Sequence, residues 1–253
     1  MFKKILFLIT YLSGINYLFS LLNKNKLYVV GYHSVSSNLD SLNDYVHLSL
    51  PKNIFIKQIE YLIRNGHSII SFKDIPEIKK NRIVKPTIIY FDDGFKDNLI
   101  EVLPICKKYS IPFTVFIVPE YADGSYGKYM NWDDIRLLAK NNVEIGSHTY
   151  SHAVLTEISN EDIRNELVFS KDRIEKEVGV NVSVFSYPKG RLNVGVVDAV
   201  KGAGYKYAVT TRYGINNIKL VETRPLELKK VAPRVYESFF DFKVRLYSFN
   251  LFK

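Results

Sequence analysis

Residues 87–98 read Thr-Ile-Ile-Tyr-Phe-Asp-Asp-Gly-Phe-Lys-Asp-Asn. An apolar run cut off by two adjacent carboxylates and a glycine is the pattern of a strand buried on both faces, as in a parallel sheet covered by helices. Its chemistry then belongs at the strand's C-terminal end. In a regular strand Asp92 and Asp93 point to opposite sides, so one cavity can use both only if the chain turns there, which Gly94 permits. Adjacent carboxylates repel unless a cation separates their roles, one becoming a ligand and the other staying free as a base. Alone, Asp-Asp-Gly is also an ordinary turn.

Outward from this stretch, strand and helix alternate. Expected strands are 27–32, 68–72, 113–118, 143–147, 184–187 and 207–210, in addition to the central one. Helical stripes lie between them, such as Phe55, Ile59 and Leu62 closed by Gly66, and Ile163, Leu167 and Ile174 closed by Gly179. About seven such units without an internal repeat predict an α/β fold, a distorted and incompletely closed (β/α)7 barrel over residues 27–253. No Gly-rich nucleotide fingerprint follows any strand, which weighs against an open doubly wound sheet.

A second chemical cluster, Ser147-His148-Thr149-Tyr150-Ser151-His152, falls where another strand runs out. Two histidines four residues apart can aim at one point, a spacing suited to a single metal ion. With one aspartate they form a two-histidine, one-carboxylate face that leaves positions open for water and substrate. Of the other histidines, His47 lies in a polar loop and His67 follows a helix-ending glycine, so both are expected at the surface. His33 ends the first strand, on the same barrel face as the aspartates.

Composition limits the partners. The formal net charge of +9 in a chain of 253 residues favours anionic surfaces or glycans. The basic residues are spread along the chain and no stretch resembles a nucleic-acid module, so no nucleic-acid partner is expected. The lone Cys106 excludes an intrachain disulfide. Residues 5–23 carry no charge and lie between Lys3-Lys4 and Lys24. Ser13, Asn16, Ser20 and Asn23 recur as a polar stripe there, so residues 1–26 are expected to form an N-terminal amphipathic helix lying in a membrane interface. No small-x-small cleavage site precedes the first strand. The expected location is a membrane surface, peripherally bound, with a secreted or cell-envelope form as the alternative.

Tyr90–Gly94, Ser147–His152 and Ser186-Tyr187-Pro188-Lys189-Gly190 together resemble the polysaccharide deacetylase family, carbohydrate esterase family 4, from about Tyr28 to Arg234. Tyr32-His33-Ser34-Val35 is similar to the early motif of its poly-N-acetylglucosamine deacetylase branch. The resemblance implies a metal-dependent carbohydrate N-deacetylase in which a divalent cation, usually zinc, activates water against N-acetyl groups of a polysaccharide or lipid-linked glycan. By position it implies Asp93, His148 and His152 as metal ligands, Asp92 as general base and His33 as general acid. The Lys189 backbone N–H would stabilise the oxyanion, since Pro188 has none to give. Tyr187, Pro188 and Arg191 would touch substrate.

Two departures from the family pattern stand out. Ser186 occupies the position where the third motif usually has an arginine that orients the base, and Arg191 or Arg234 is left as a substitute. No histidine follows His152, so the acid must come from elsewhere, which is the ground for His33. The rival reading is a catalytically silent glycan- or lipid-binding domain on the same fold.

Overall fold

Strands that bury both faces need helices outside and side chains inside, and the chain supplies both. A computed structural model describes residues 25–39, 46–124, 127–233 and 238–247. The expected N-terminal helix and Arg234 lie outside the described residues. Among the described residues no helix is long and apolar enough to cross a membrane.

The strands are β1 (Lys26–Tyr32), β2 (Ser34–Ser36), β3 (Ser49–Pro51), β4 (Ser68–Ile70), β5 (Pro86–Phe91), β6 (Thr114–Ile117), β7 (Glu144–Ser147), β8 (Val184–Ser186), β9 (Tyr207–Tyr213), β10 (Asn216–Asn217) and β11 (Leu228–Lys230). The main helices are α1 (Lys52–Arg64), α2 (Leu103–Tyr109), α3 (Trp132–Lys140), α4 (Asn160–Val178), α5 (Val194–Gly202) and α6 (Phe239–Tyr247). Local chemistry sets their limits. Asn131 and Asp134 form a reciprocal capping box at the start of α3, and Gly179 ends α4 at φ +75°.

Parallel pairing runs β1–β5–β6–β7–β8–β9–β11, and β4 joins the lower half of β5. The ring closes through one bridge, Val30 to Val231, with Val231 N donating to Val29 O at 2.7 Å. Pro86–Ile88 of β5 pair with β4, while Tyr90 and Phe91 pair with β6. The two partners share one edge of β5 without pairing with each other, so the barrel keeps an unsealed seam. The distorted, incompletely closed barrel expected from the sequence is therefore present, with Leu228–Lys230 as an additional parallel strand.

Alternation along the strands sorts the core into two layers. Leu27, Val29, Ile88, Tyr90, Phe116, Val184, Val209 and Leu228 fill the lumen, whereas Tyr28, Val30, Phe91, Val115 and Phe185 pack against the helices. His67 corrects an expectation: it is only 6% exposed. Its Nδ1 lies 2.7 Å from Thr87 Oγ1 and its ring meets Tyr28 edge-on at 4.9 Å. It leads directly into β4 at the N-terminal end of the barrel, a placement its helix-ending neighbour Gly66 does not reveal.

Candidate active site

Five strands deliver side chains to the C-terminal mouth of the barrel. Along β5 the inward alternation passes from Ile88 and Tyr90 to Asp92, whose N–H donates to Tyr32 O at 2.9 Å. The chain then turns at once, with Asp93 and Gly94 both at φ +71°. The turn expected at Gly94 thus begins one residue earlier, at an aspartate whose short polar side chain tolerates the left-handed region. Both carboxylates come to the histidine cluster at the strand end as a result.

From the end of β7, His148 N donates to Ile117 O at 2.9 Å, and Thr149 and His152 take φ values of +64° and +63°. A β-branched residue there is strained. Glu166 of α4 offsets this by accepting from Tyr150 N at 2.7 Å, Ser151 N at 2.9 Å and Ser151 Oγ at 2.7 Å. The clamped loop sets Nε2 of His148 and of His152 each 3.5 Å from Asp93 Oδ1.

These three residues fit a divalent cation. Their ligand atoms lie within 4.8 Å of one another, and Asp93 Oδ1 is buried with no hydrogen-bond partner. His148 Nδ1 sits 2.7 Å from Ser186 O. A proton on Nδ1 leaves the Nε2 lone pair aimed at the cluster, as in histidine ligands held from behind. Bonds of about 2.1 Å in a tetrahedron put neighbouring donors about 3.4 Å apart, which matches the observed 3.5 Å. Burial, and for His152 next the neighbouring His148, lowers both imidazoles, His152 to about 4, so they are neutral as ligands must be. Burial and the adjacent Asp92 push Asp93 up to about 7 in the metal-free site.

Asp92 has a different setting. Its Oδ2 lies 3.6 Å from Lys230 Nζ and 3.9 Å from His33 Nε2, and its Oδ1 is buried without a partner. Burial raises the carboxyl, but His148, Lys230, His33 and the Ser186 hydroxyl outweigh it, and Asp92 is held below the usual carboxylate range. Lys230 is the residue the sequence reading missed. Within β11 the alternation that turns Leu228 inward also turns Lys230 inward, and the lysine is 7% exposed. It supplies the cation that Ser186 does not. Arg191, the alternative inside the described chain, is exposed and ion-paired with Glu157.

His33 is held through its backbone. Asn98 Nδ2 donates to His33 O at 3.0 Å, while Asp97 accepts from Ser34 Oγ at 2.5 Å and Val35 N at 3.3 Å. Two residues of the stretch that carries the aspartates thus fix the proposed acid relative to the proposed base. Burial brings His33 down to about 4 against the pull of Asp92.

The third motif lines the opposite wall. Lys189 takes φ +53° and Gly190 φ +65°, where a side chain on Gly190 would collide with Thr211. The Lys189 N–H enters no backbone hydrogen bond among the described residues. Tyr187 and Pro188, expected to touch substrate, are buried instead, and Tyr187 Oη donates to Leu226 O at 3.0 Å. Alternation in β8 turns Ser186 inward and places Phe185 and Tyr187 together on the helix side, their rings 5.1 Å apart.

Comparison with known proteins adds an independent finding. A model of the polysaccharide deacetylase family matches residues 79–208. The putative polysaccharide deacetylase YxkH of Bacillus subtilis is 28% identical over 192 residues, covering 75% of this chain and 66% of that protein. The poly-beta-1,6-N-acetyl-D-glucosamine N-deacetylase of Staphylococcus epidermidis is 24% identical over 216 residues, 74% of this chain and 73% of its own. Among solved structures, the Streptococcus pyogenes deacetylase PplD in complex with acetate superposes with a TM-score of 0.75 at 22% identity, covering 85% of this chain and 95% of that one. A Bacillus cereus polysaccharide deacetylase gives 0.77 at 24% identity, covering 87% and 69%.

Proposed function

The chain belongs to the polysaccharide deacetylase family, and on that premise we propose that it is a metal-dependent hydrolase removing N-acetyl groups from the amino sugars of a bacterial glycan. The observation that carries this reading is the separation of two neighbouring carboxylates. Asp93 Oδ1 sits against two histidine nitrogens, whereas Asp92 Oδ1 is buried, unpartnered and free to receive a water. A pure binding domain has no need of the second.

Asp93, His148 and His152 would hold a divalent cation, with zinc the first candidate, which would supply Lewis acidity toward the acetamide carbonyl and the attacking water. Asp92 accepts the proton of that water as its oxygen bonds to the carbonyl carbon. Lys230 keeps Asp92 ionised for this step, and the Lys189 N–H faces the developing oxyanion. The C–N bond then breaks, the amine nitrogen takes a proton from His33, and acetate and a free amino sugar leave. His33 is neutral in the resting site and 3.9 Å from Asp92 Oδ2, so the proton it delivers is the one Asp92 has gained, relayed through one bridging water.

Relatives from staphylococci act on poly-beta-1,6-N-acetyl-D-glucosamine, so oligomers of that linkage are the first substrates to try, beside chitin and peptidoglycan fragments. Acetate release should require added metal and stop with chelator. Release that ignores chelator, or no release from any N-acetylated glycan by the zinc-loaded protein, defeats the proposal. The proposal also places the chain at a bacterial membrane through residues 1–23, and deleting them should release it while sparing activity on soluble substrate.

A further inference from the structure

At the N-terminal end of the barrel, the turn after β9, the short helix Ile218–Thr223 and the start of β11 enclose a cavity of about 330 Å³. Lys26, Arg212, Arg224 and Lys229 line it, and Glu227 is the one carboxylate among its described lining residues. Arg212 Nη1 donates to Glu227 Oε2 at 3.1 Å, and Arg224 holds the same carboxylate through Nε and Nη2 at 2.9 and 3.0 Å. One carboxylate between two guanidinium groups orients both and neutralises only one. Each fork keeps further N–H donors for a second anion.

Two more features bear on what that anion is. Leu220, at the rim, is 57% exposed beside these cations, while Val221 and Leu228 form a buried apolar floor. An apolar side chain standing among arginines and lysines suits a surface that meets a headgroup layer. Lys26, moreover, both lines the cavity and begins β1, just after the uncharged residues 5–23 and the pair Lys24-Asn25. The cavity therefore opens where that apolar stretch joins the barrel.

We infer that this cavity receives the phosphate of an anionic membrane lipid headgroup and orients the barrel on the bilayer. The inference does not depend on the deacetylase reading, but it sharpens it. From Lys26 to Tyr32, β1 climbs about 20 Å at roughly 3.3 Å per residue, so the catalytic mouth opens about that far beyond the cavity. A site so placed reaches a glycan strand standing off the membrane, not a sugar next to its lipid.

The test uses the full chain and vesicles of phosphatidylcholine alone or mixed with phosphatidylglycerol, with binding read by sedimentation. The expected result is a gain in binding from phosphatidylglycerol that falls about tenfold or more in Arg212→Gln/Arg224→Gln. Binding to phosphatidylcholine alone, the melting temperature and acetate release should stay as in the wild type. Lys140→Gln/Lys176→Gln, which removes the same charge from the exposed faces of α3 and α4, should keep most of the gain, as should Arg212→Lys. Equal losses in both double variants would reduce the effect to net charge and overturn the inference. So would an arginine pair that abolishes binding of inorganic phosphate yet leaves the phosphatidylglycerol gain intact, since the cavity would then serve a soluble anion.

Discussion

His67 and His148 are buried to similar degrees, 6% and 3% exposed, near opposite ends of the same barrel. Each rests one ring nitrogen against an oxygen at 2.7 Å, Thr87 Oγ1 for His67 and Ser186 O for His148. Burial lowers both imidazoles, so both are neutral. What differs is the second neighbour. His67 meets the Tyr28 ring and feels the charge of Lys85, whereas His148 meets Asp93 and, beside it, His152. Burial by itself makes a packed histidine; an unpartnered carboxylate oxygen 3.5 Å away makes a set that could hold a metal ion.

The largest effect should come from removing that oxygen. Asp93→Ala is expected to lose bound zinc, measured by elemental analysis after gel filtration, and acetate release should fall by about 10³-fold or more. His67→Gln should retain metal and activity. If Asp93→Ala kept stoichiometric zinc and near-normal turnover, the contrast between the two ends would vanish. Next in size is Asp92→Asn, for which metal should stay bound while kcat drops by about 10²- to 10⁴-fold. Equal loss of metal and turnover in that variant would mean that the two carboxylates share one role.

Smaller effects should follow from the two clamps, and their difference is diagnostic. Glu166 holds the loop that carries His148 and His152, and Asp97 holds the His33 loop. Glu166→Gln should weaken zinc affinity by about 10- to 100-fold, read by competition with a chromophoric chelator. Asp97→Asn should instead lower kcat by about tenfold with zinc affinity and KM little changed, because only the position of His33 is loosened. Reversed outcomes would exchange the two assignments.

Much of this was legible in residues 87–98. An apolar run buried on both faces, then two carboxylates and a turn, pointed to the strand, its direction and the end that carries chemistry, and His148 with His152, four residues apart where another strand runs out, pointed to the same end. Lys230 was not legible. Strand β11 has three residues, and its inward side is defined only once the barrel closes against β1. Tyr187 misled for the same reason: a motif gives its position in the chain, while its side of the wall follows from the register of β8 with β7 and β9. His67 looked exposed because burial there depends on Tyr28 and Thr87, distant in sequence and joined to it only by the sheet.

That residue gives the subtlest test. Burial, with Lys85 next, lowers His67 to about 3, below its ordinary value of 6.5. The unfolded chain therefore binds a proton at His67 in a pH range where the folded chain does not. Its contribution to stability is complete above about pH 6.5 and is lost progressively as pH falls toward 3. Urea unfolding at pH 7.5 and pH 4.5 should show the wild type losing more stability than His67→Gln over that interval, by up to a few kcal/mol. The carboxylates that titrate in the same range are common to both proteins, so the difference isolates the histidine. Parallel losses would mean that His67 takes up its proton in the folded state after all. The two ends of the barrel would then differ less than their geometry implies.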